Sequence, residues 1–140
     1  WQTGDKEFQQ YSSLSNKYIK VVPFINDMAS AYSLSNLVIC RSGALTISEL
    51  TACGKPSILI PFAAAAGDHQ LKNAKTLSKK GASIIIEEKD FDSKILLSKI
   101  NELINDDSKL SSMSIASKKL GNIDATRIIV DLIAKGNYLV

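Results

Sequence analysis

The chain alternates short, continuous apolar runs with longer segments whose apolar residues recur at helical spacing. Four runs stand out: Tyr18 to Phe24, Leu37 to Cys40, Ser57 to Ile60 and Ala82 to Ile86. None shows regular polar alternation, which predicts strands covered on both faces. Around them the pattern predicts helices over Asp5–Asn16, Asp27–Leu34, Ala44–Cys53 and Asp68–Lys80. Strands separated by helix-length segments make βαβ units, and such units build a parallel sheet with right-handed crossovers.

The punctuation agrees with this pattern. Gly54-Lys55-Pro56 stops one helix and launches a strand, and Gly81 ends the helix before the run at Ala82. Asp27 and Asp68 are placed to act as N-caps. The last third changes character: Ser93–Asn105 carries Ile95, Leu96, Ile100, Leu103 and Ile104 at helical spacing, and Leu110–Leu120 and Ala125–Lys135 also read as helices. No repeat, low-complexity tract or linker interrupts the chain. The expected fold is α/β, a Rossmann-like parallel sheet with helices on both faces and a helical C-terminal tail, in one domain over residues 1–140. The opening Trp1-Gln2-Thr3-Gly4 lacks an initiator methionine and reads as the tail of a strand entering a turn. The expectation is a segment from within a longer α/β protein.

Composition narrows the class. A chain of 140 residues with 45% apolar and 22% charged positions can bury a core without disulfides. Seventeen basic against fourteen acidic residues leave a net charge of +3, too small to argue for a nucleic-acid partner. Local attraction to an anionic membrane surface stays open. Cys40 and Cys53 lie inside apolar segments and are expected to be buried free thiols of a reducing compartment, with no metal site implied. No apolar run approaches the ~18 residues of a membrane span. No basic, then apolar, leader is visible, so the expected location is the cytoplasm.

In an open parallel sheet, ligands bind beyond the carboxyl ends of the strands. That rule nominates the loops after Gln2, Val22, Cys40 and Ile60. The third is the most informative, because the strand runs straight into Arg41-Ser42-Gly43-Ala44-Leu45-Thr46-Ile47-Ser48-Glu49. A glycine there permits close approach of a ligand, and the helix that follows offers N–H groups and a positive dipole end to a phosphate or diphosphate. Thr46 and Glu49 share one face of the first turns. Two readings fit them: a hydroxyl near phosphate with a carboxylate on a ribose diol, or a plain cap with Ser42 or Thr46 capping and Glu49 complementing the dipole.

The loop after Ile60 runs Pro61-Phe62 through Ala63–Ala66 to Gly67-Asp68-His69-Gln70, with Asn73 one turn on. Amides can read sugar hydroxyls because they carry both donors and an acceptor, while simple capping by Asp68 explains the same residues. His69 is the only histidine, so a histidine metal site or a serine–histidine triad has little material. At Phe24-Ile25-Asn26-Asp27-Met28, an apolar shelf for a flat base competes with a hydrophobic staple. Neither a Walker lysine loop nor a G-x-G-x-x-G turn is present, which removes support for ATP hydrolysis and dinucleotide binding.

Taken together, these segments resemble the C-terminal domain of the MurG family of glycosyltransferases. The resemblance rests on Arg41–Glu49, Gly54-Lys55-Pro56, Ile60-Pro61-Phe62, Asp68-His69-Gln70 with Asn73, the opening Gln2-Thr3-Gly4, and Pro23 through Ala29, in the right order and fading after about Lys89. It implies a GT-B enzyme with two Rossmann-like halves. Such enzymes transfer GlcNAc from UDP-GlcNAc to lipid I, giving lipid II at the inner face of the cell membrane. This chain would supply the donor-binding half, peripheral on that face. Carried over by motif, the backbone of Ile25 contacts uracil. Ala44, Leu45 and Thr46 surround the nucleotide and diphosphate, Ile47 and Ser48 complete the segment, Glu49 takes the ribose hydroxyls, and Gln70 contacts the GlcNAc hydroxyls. Arg41, Gly43 and Asn73 support the site. The family implies no cofactor and no bound metal.

The chain departs from the family in three respects. The glycine- and serine-rich loop that opens this domain in the family has no counterpart here. Neither has the acceptor-binding domain for lipid I, with the histidine proposed as base. No residue is therefore assigned as catalytic, and the chain is expected to be inactive alone. The Ala63–Ala66 run is plainer than the family's loop on the sugar side. Other readings keep the fold: a non-catalytic UDP-sugar-binding subunit of a two-chain glycosyltransferase, or half of a UDP-GlcNAc 2-epimerase, which would need more acid/base residues around the sugar. A purely structural module leaves the matched loops unexplained.

Overall fold

The computed structural model describes residues 1–136, and the last residues of the expected domain, 137–140, lie outside them. The chain divides into two compact units, Trp1–Leu34 and Ser35–Val140, each built differently.

The first unit holds α1 (Asp5–Tyr11), a 3-10 turn (Ser12–Leu14) and α2 (Met28–Leu34). Asp27 caps α2 as expected: its carboxylate accepts the Ser30 N–H at 3.0 Å, and the bonds from Ser30 hold the carboxyl below its ordinary range. Two expectations fail here for one reason. The first helix stops short of Asn16, and Tyr18 to Phe24 is not a strand. Asn16 Oδ1 accepts the N–H groups of both Tyr18 (2.8 Å) and Ile19 (3.0 Å), so the side chain folds the backbone into a turn. Ser15 Oγ takes the Val21 N–H at 3.1 Å, and Pro23 has none to give. What remains is an isolated parallel bridge between Gln2 and Val22, flanked by Val22 N–H to the Trp1 carbonyl at 2.9 Å and Thr3 N–H to the Val22 carbonyl at 3.0 Å.

The second unit carries the sheet. Strands β1 (Val38–Cys40), β2 (Ser57–Leu59) and β3 (Ser83–Ile85) are parallel in the order β1-β2-β3, with Ile39 opposite Ile58 and Ile58 opposite Ile84. The central strand is buried throughout, but Ile39 is 42% exposed, so two-sided cover holds for β2 and not for β1 at the sheet's end. The crossovers are α3 (Ala44–Cys53) and α4 (His69–Lys79), and α5 (Ser93–Ile104), α6 (Asp107–Leu120) and α7 (Ala125–Ala134) form the helical end. Ile58 and Ile86 join Leu103 of α5 and Met113 of α6 in one apolar cluster, bordered by Ile60, Ile84, Leu96, Ile100 and Leu110. Alternation along a strand turns Leu59 to the opposite face. Leu59 is fully buried, as are Leu50 of α3 and Ala74 of α4, outside that cluster. Each fully buried leucine or isoleucine contributes about 1.5–3 kcal/mol.

Gly54 ends α3 in the left-handed region (φ 64°), and Gly81 (φ 74°) ends α4, as the punctuation predicted. Asp92 and Asp106 cap α5 and α6 through Lys94 N–H (2.7 Å) and Lys109 N–H (2.8 Å), so α6 begins at Asp107, ahead of the expected Leu110. Asp68 does not act as expected. It sits at the N-cap of α4 with φ 55°, follows Gly67 at φ 60°, and makes no side-chain capping bond. Capping needs an extended residue whose oxygen reaches the first turn, and two successive left-handed residues deny it that geometry. Neither cysteine is fully buried: Cys53 is exposed in the last turn of α3, and Cys40 is half-buried, enough for desolvation to push its thiol up to about 11.

The far end of α3 is closed by α6. Ser114 Oγ donates to the Gly54 carbonyl (2.8 Å) and Lys118 Nζ to that of Ala52 (2.6 Å), which meets carbonyls at the helix end, and Ser117 Oγ adds a bond to the Leu50 carbonyl (3.3 Å), which already accepts backbone N–H groups. Gly121 then passes directly over this backbone: a Cβ there would lie 2.6 Å from the Thr51 oxygen. Gly121→Ala should therefore destabilise the unit by about 1–3 kcal/mol, seen as a lower urea midpoint at unchanged slope. An unchanged midpoint would mean that the end of α6 can lift off α3 without cost.

Candidate functional site

The carboxyl ends of the three strands are joined by a set of polar contacts. After β1 the chain enters Arg41-Ser42-Gly43 and then α3. Ser42 is fully buried, and its polar groups are all bonded to α4. Its N–H donates to Gln70 Oε1 (3.3 Å), its hydroxyl to the Gln70 carbonyl (2.8 Å), and its carbonyl accepts from Asn73 Nδ2 (3.0 Å). Capping by Ser42 or Thr46, one of the two sequence readings, does not occur. Gly43 is the N-cap, no side chain caps it, and the first turn contains no acidic residue.

The first helical bond of α3 runs from Ile47 N–H to the Gly43 carbonyl at 3.0 Å. The N–H groups of Ala44, Leu45 and Thr46 precede it, at the positive end of a ten-residue helix. Ala44 and Ser48 are exposed, Leu45 is 74% exposed, and Thr46, Ile47 and Glu49 are half-buried. Ser48 returns its hydroxyl to the Ala44 carbonyl at 3.0 Å within the helix. Gly43 has an ordinary φ of −63°, and a Cβ added to it would meet nothing closer than Thr46 Oγ1 at 4.0 Å. The fold therefore does not require a glycine at this position.

After β2 the loop is held by its backbone. Gln70 Oε1 also accepts the Phe62 N–H at 3.0 Å, so one side-chain oxygen joins the β1 loop to the β2 loop. Two backbone donors converge on that atom, which fixes it as oxygen and leaves the amide nitrogen as the donating end. Arg41 Nη1 donates to the carbonyls of Ile60 (3.1 Å) and Pro61 (3.4 Å), and its guanidinium lies 5.4 Å from the centre of the Phe62 ring. After β3, in a 3-10 turn (Glu88–Asp90), Glu88 meets Arg41 Nη1 at 2.5 Å and accepts the Ala63 N–H at 2.7 Å. The Ala63 bond, with Arg41 assisting, holds the Glu88 carboxyl below its ordinary range.

The second unit thus brings Arg41, Gly43, the start of α3, Gln70 and Asn73 together. Ile25 belongs to the first unit, where it is half-buried and donates its N–H to Gln2 Oε1 at 2.9 Å. Phe24 beside it is 63% exposed. Glu88 was missed by the sequence reading, although the rule that nominated the ends of the first strands extends to the loop after Ile86. A cavity of about 390 Å³ opens at the other end of α3, among Gly54, Lys55, Asp107 and Ser114. Chemistry rather than concavity therefore selects the Gly43 end. Among the described residues, no three His, Cys, Asp or Glu side chains are grouped to hold a metal ion.

The model of the glycosyltransferase family 28 C-terminal domain matches residues 1–127. A UDP-N-acetylglucosamine–N-acetylmuramyl-(pentapeptide) pyrophosphoryl-undecaprenol N-acetylglucosamine transferase of Syntrophus aciditrophicus (strain SB) is 46% identical over 133 residues, covering 93% of this chain and 37% of that protein. The enzyme of the same name from Geobacter metallireducens is 41% identical over 133 residues, covering 93% and 36%. The crystal structure of Acinetobacter baumannii MurG superposes with a TM-score of 0.86 at 35% identity, over 96% of this chain and 42% of that one. The chain spans about a third of the length of the curated relatives it matches.

Two outcomes follow from the geometry. Asn73→Ala leaves the buried Ser42 carbonyl without its donor and should cost about 1–3 kcal/mol by denaturant unfolding. No loss would mean that water reaches that carbonyl. Because the Glu88 pKa is lowered, its bond to Ala63 is retained as pH falls through the ordinary carboxylate value near 4.5 and is lost only below it. The Ala63 amide resonance should report that midpoint, and a midpoint at or above 4.5 would contradict the contact.

Proposed function

Because the chain belongs to the glycosyltransferase family 28 C-terminal domain family, we propose that it is the donor-binding part of an N-acetylglucosaminyltransferase that moves GlcNAc from UDP-GlcNAc to lipid I, giving lipid II. The observation that carries this reading is the start of α3. It is uncapped and acid-free, at the end of a parallel strand, behind a glycine that the fold itself does not require.

In this reading residues 1–140 form one donor-binding domain. The diphosphate lies against the N–H groups of Ala44, Leu45 and Thr46, where dipole and donors act together, with the Thr46 hydroxyl beside them. Ile47 and Ser48 continue the turn, and Glu49, on the same face as Thr46, takes the ribose diol. Gln70 presents its amide N–H groups to oxygens of the sugar, while its own oxygen holds the two loops together. Arg41 and Asn73 support the loops, and Gly43 lets the phosphates approach the backbone. In the first unit, the backbone of Ile25 is assigned to the uracil edge, its N–H being engaged by Gln2.

The reaction is an inverting displacement. The acceptor hydroxyl oxygen bonds to the anomeric carbon as the bond from that carbon to the diphosphate oxygen breaks, and UDP departs with the electron pair. The hydroxyl proton goes to a base that none of the residues assigned here provides. The start of α3 faces the charge that grows on the leaving diphosphate, and fixed donors of this kind act most strongly on charge that develops in the transition state. In this reading the lipid-linked acceptor would be met at the inner face of the cell membrane, with the enzyme cytoplasmic and peripheral on that face.

Calorimetric titration of the chain should give binding of UDP-GlcNAc, weaker binding of UDP-GalNAc and none of ATP. Equal heats from the two UDP-sugars would leave a nucleotide site without sugar choice, and silence from a folded chain would remove the reading. Gly43→Ala should weaken UDP-GlcNAc about tenfold or more, near 1.4 kcal/mol, while costing the fold less than about 1 kcal/mol. Glu49→Ala should weaken it similarly. Unchanged affinity in both variants would move the ligand away from α3.

A further inference from the structure

We propose that Glu88 is a positioning residue that sets sugar selectivity by fixing the loop after β2. The inference rests on the donor-site reading above and adds a residue that does not touch the ligand.

The loop at issue has little of its own to hold it. Ala63 and Ala64 are exposed, and the chain then turns through Gly67 and Asp68, both with positive φ. Its internal bonds are short-range: Ala65 N–H to the Phe62 carbonyl (3.1 Å) and Asp68 N–H to the Ala65 carbonyl (3.3 Å). A run of methyl side chains gives no long group to anchor, so the position of the loop is set by contacts to its backbone. Those contacts are consecutive. Arg41 holds the Ile60 and Pro61 carbonyls, Gln70 holds the Phe62 N–H, and Glu88 holds the Ala63 N–H, while beyond the alanines Lys72 Nζ donates to the Gly67 carbonyl at 3.0 Å.

Glu88 holds the first of the alanines, and it also holds Arg41, so a single carboxylate links the ends of all three strands. Without it, Ala63 loses its tether and Arg41 loses the partner that aims it at Ile60 and Pro61. Phe62, whose N–H shares Gln70 Oε1, is then free to shift, and with it the amide nitrogen that faces the sugar. The diphosphate end rests on Ser42 and α4; it shares the Gln70 side-chain oxygen with the loop, but the Ser42 hydroxyl bond to the Gln70 carbonyl and the Asn73 bond to the Ser42 carbonyl do not pass through Glu88. The nucleotide end therefore keeps two of its three ties when Glu88 is lost. Losing Glu88 should cost sugar contacts and spare nucleotide contacts.

The test compares UDP with UDP-GlcNAc in titrations of the wild-type chain and of Glu88→Ala, Glu88→Gln and Glu88→Asp, with amide exchange at Ala63 read by NMR on the same samples. Glu88→Ala should bind UDP within about twofold of wild type and lose most of the added affinity that GlcNAc confers, about tenfold, with faster exchange at Ala63. Glu88→Gln keeps an acceptor of the same length for the Ala63 N–H and should recover most of that preference, whereas the shorter Glu88→Asp should not. A parallel drop for UDP and UDP-GlcNAc would show a general loss of structure and overturn the proposal. So would an unchanged preference in Glu88→Ala from a chain whose wild type binds UDP-GlcNAc. If wild type binds neither compound, the donor-site reading fails and the selectivity role falls with it, even where Ala63 exchange responds to the substitution.

Discussion

Ser42 is shut off from solvent, and its N–H, hydroxyl and carbonyl are all committed to α4 through Gln70 and Asn73. A buried serine with any of these groups unmet would cost of the order of a kilocalorie or more, so the three bonds stand or fall together. Their effect is to fix the turn between β1 and α3 from outside. A turn held that way does not need a side-chain cap at its helix. Gly43 can occupy the N-cap position with no capping bond, and the helix start stays available. The availability of donors at α3 is thus a consequence of where Ser42 spends its own.

The other end of α3 follows the opposite logic. Its last carbonyls are met by Ser114, Ser117 and Lys118, and Gly121 presses against its backbone. One helix is therefore closed where the negative end of the dipole emerges and open where the positive end does. An anion gains most from that asymmetry, because the site asks for no reorganisation when charge arrives. The cavity beside the closed end borders the Gly54 carbonyl, already satisfied by Ser114 of α6.

Most of this architecture was legible in the sequence because it is local. The run at Ser57 reads as a buried strand, Gly54 and Gly81 read as helix stops, and the βαβ order follows from their spacing. The failures are also local, one from a side chain competing with the backbone and one from the backbone's own geometry. Asn16 captured the N–H groups that Tyr18 and Ile19 would have offered a strand, and the left-handed geometry at Gly67 and Asp68 removed a cap that composition alone predicted. In the site, Arg41, Gly43 and Asn73 were visible as neighbours, but what each one holds was not. The role of Glu88 was hidden for a different reason: its partners Arg41 and Ala63 are brought to it only by the parallel pairing of β1, β2 and β3.

The Arg41–Glu88 pair shows why stability is the wrong measure for such contacts. Both side chains are partly exposed, and a pair of that kind adds only about 0–1 kcal/mol to folding. Its value lies in geometry. Arg41 reaches two successive carbonyls and the face of Phe62, and Glu88 divides its oxygens between Arg41 and the Ala63 N–H. A loop of alanines has no side chains with which to choose its own place, so weak contacts that act on its backbone decide where it sits. Selectivity between ligands that differ at one hydroxyl depends on placement to a fraction of an ångström more than on binding strength. A network that contributes little to folding can therefore govern how the sugar is read, and its substitution should leave the fold almost untouched.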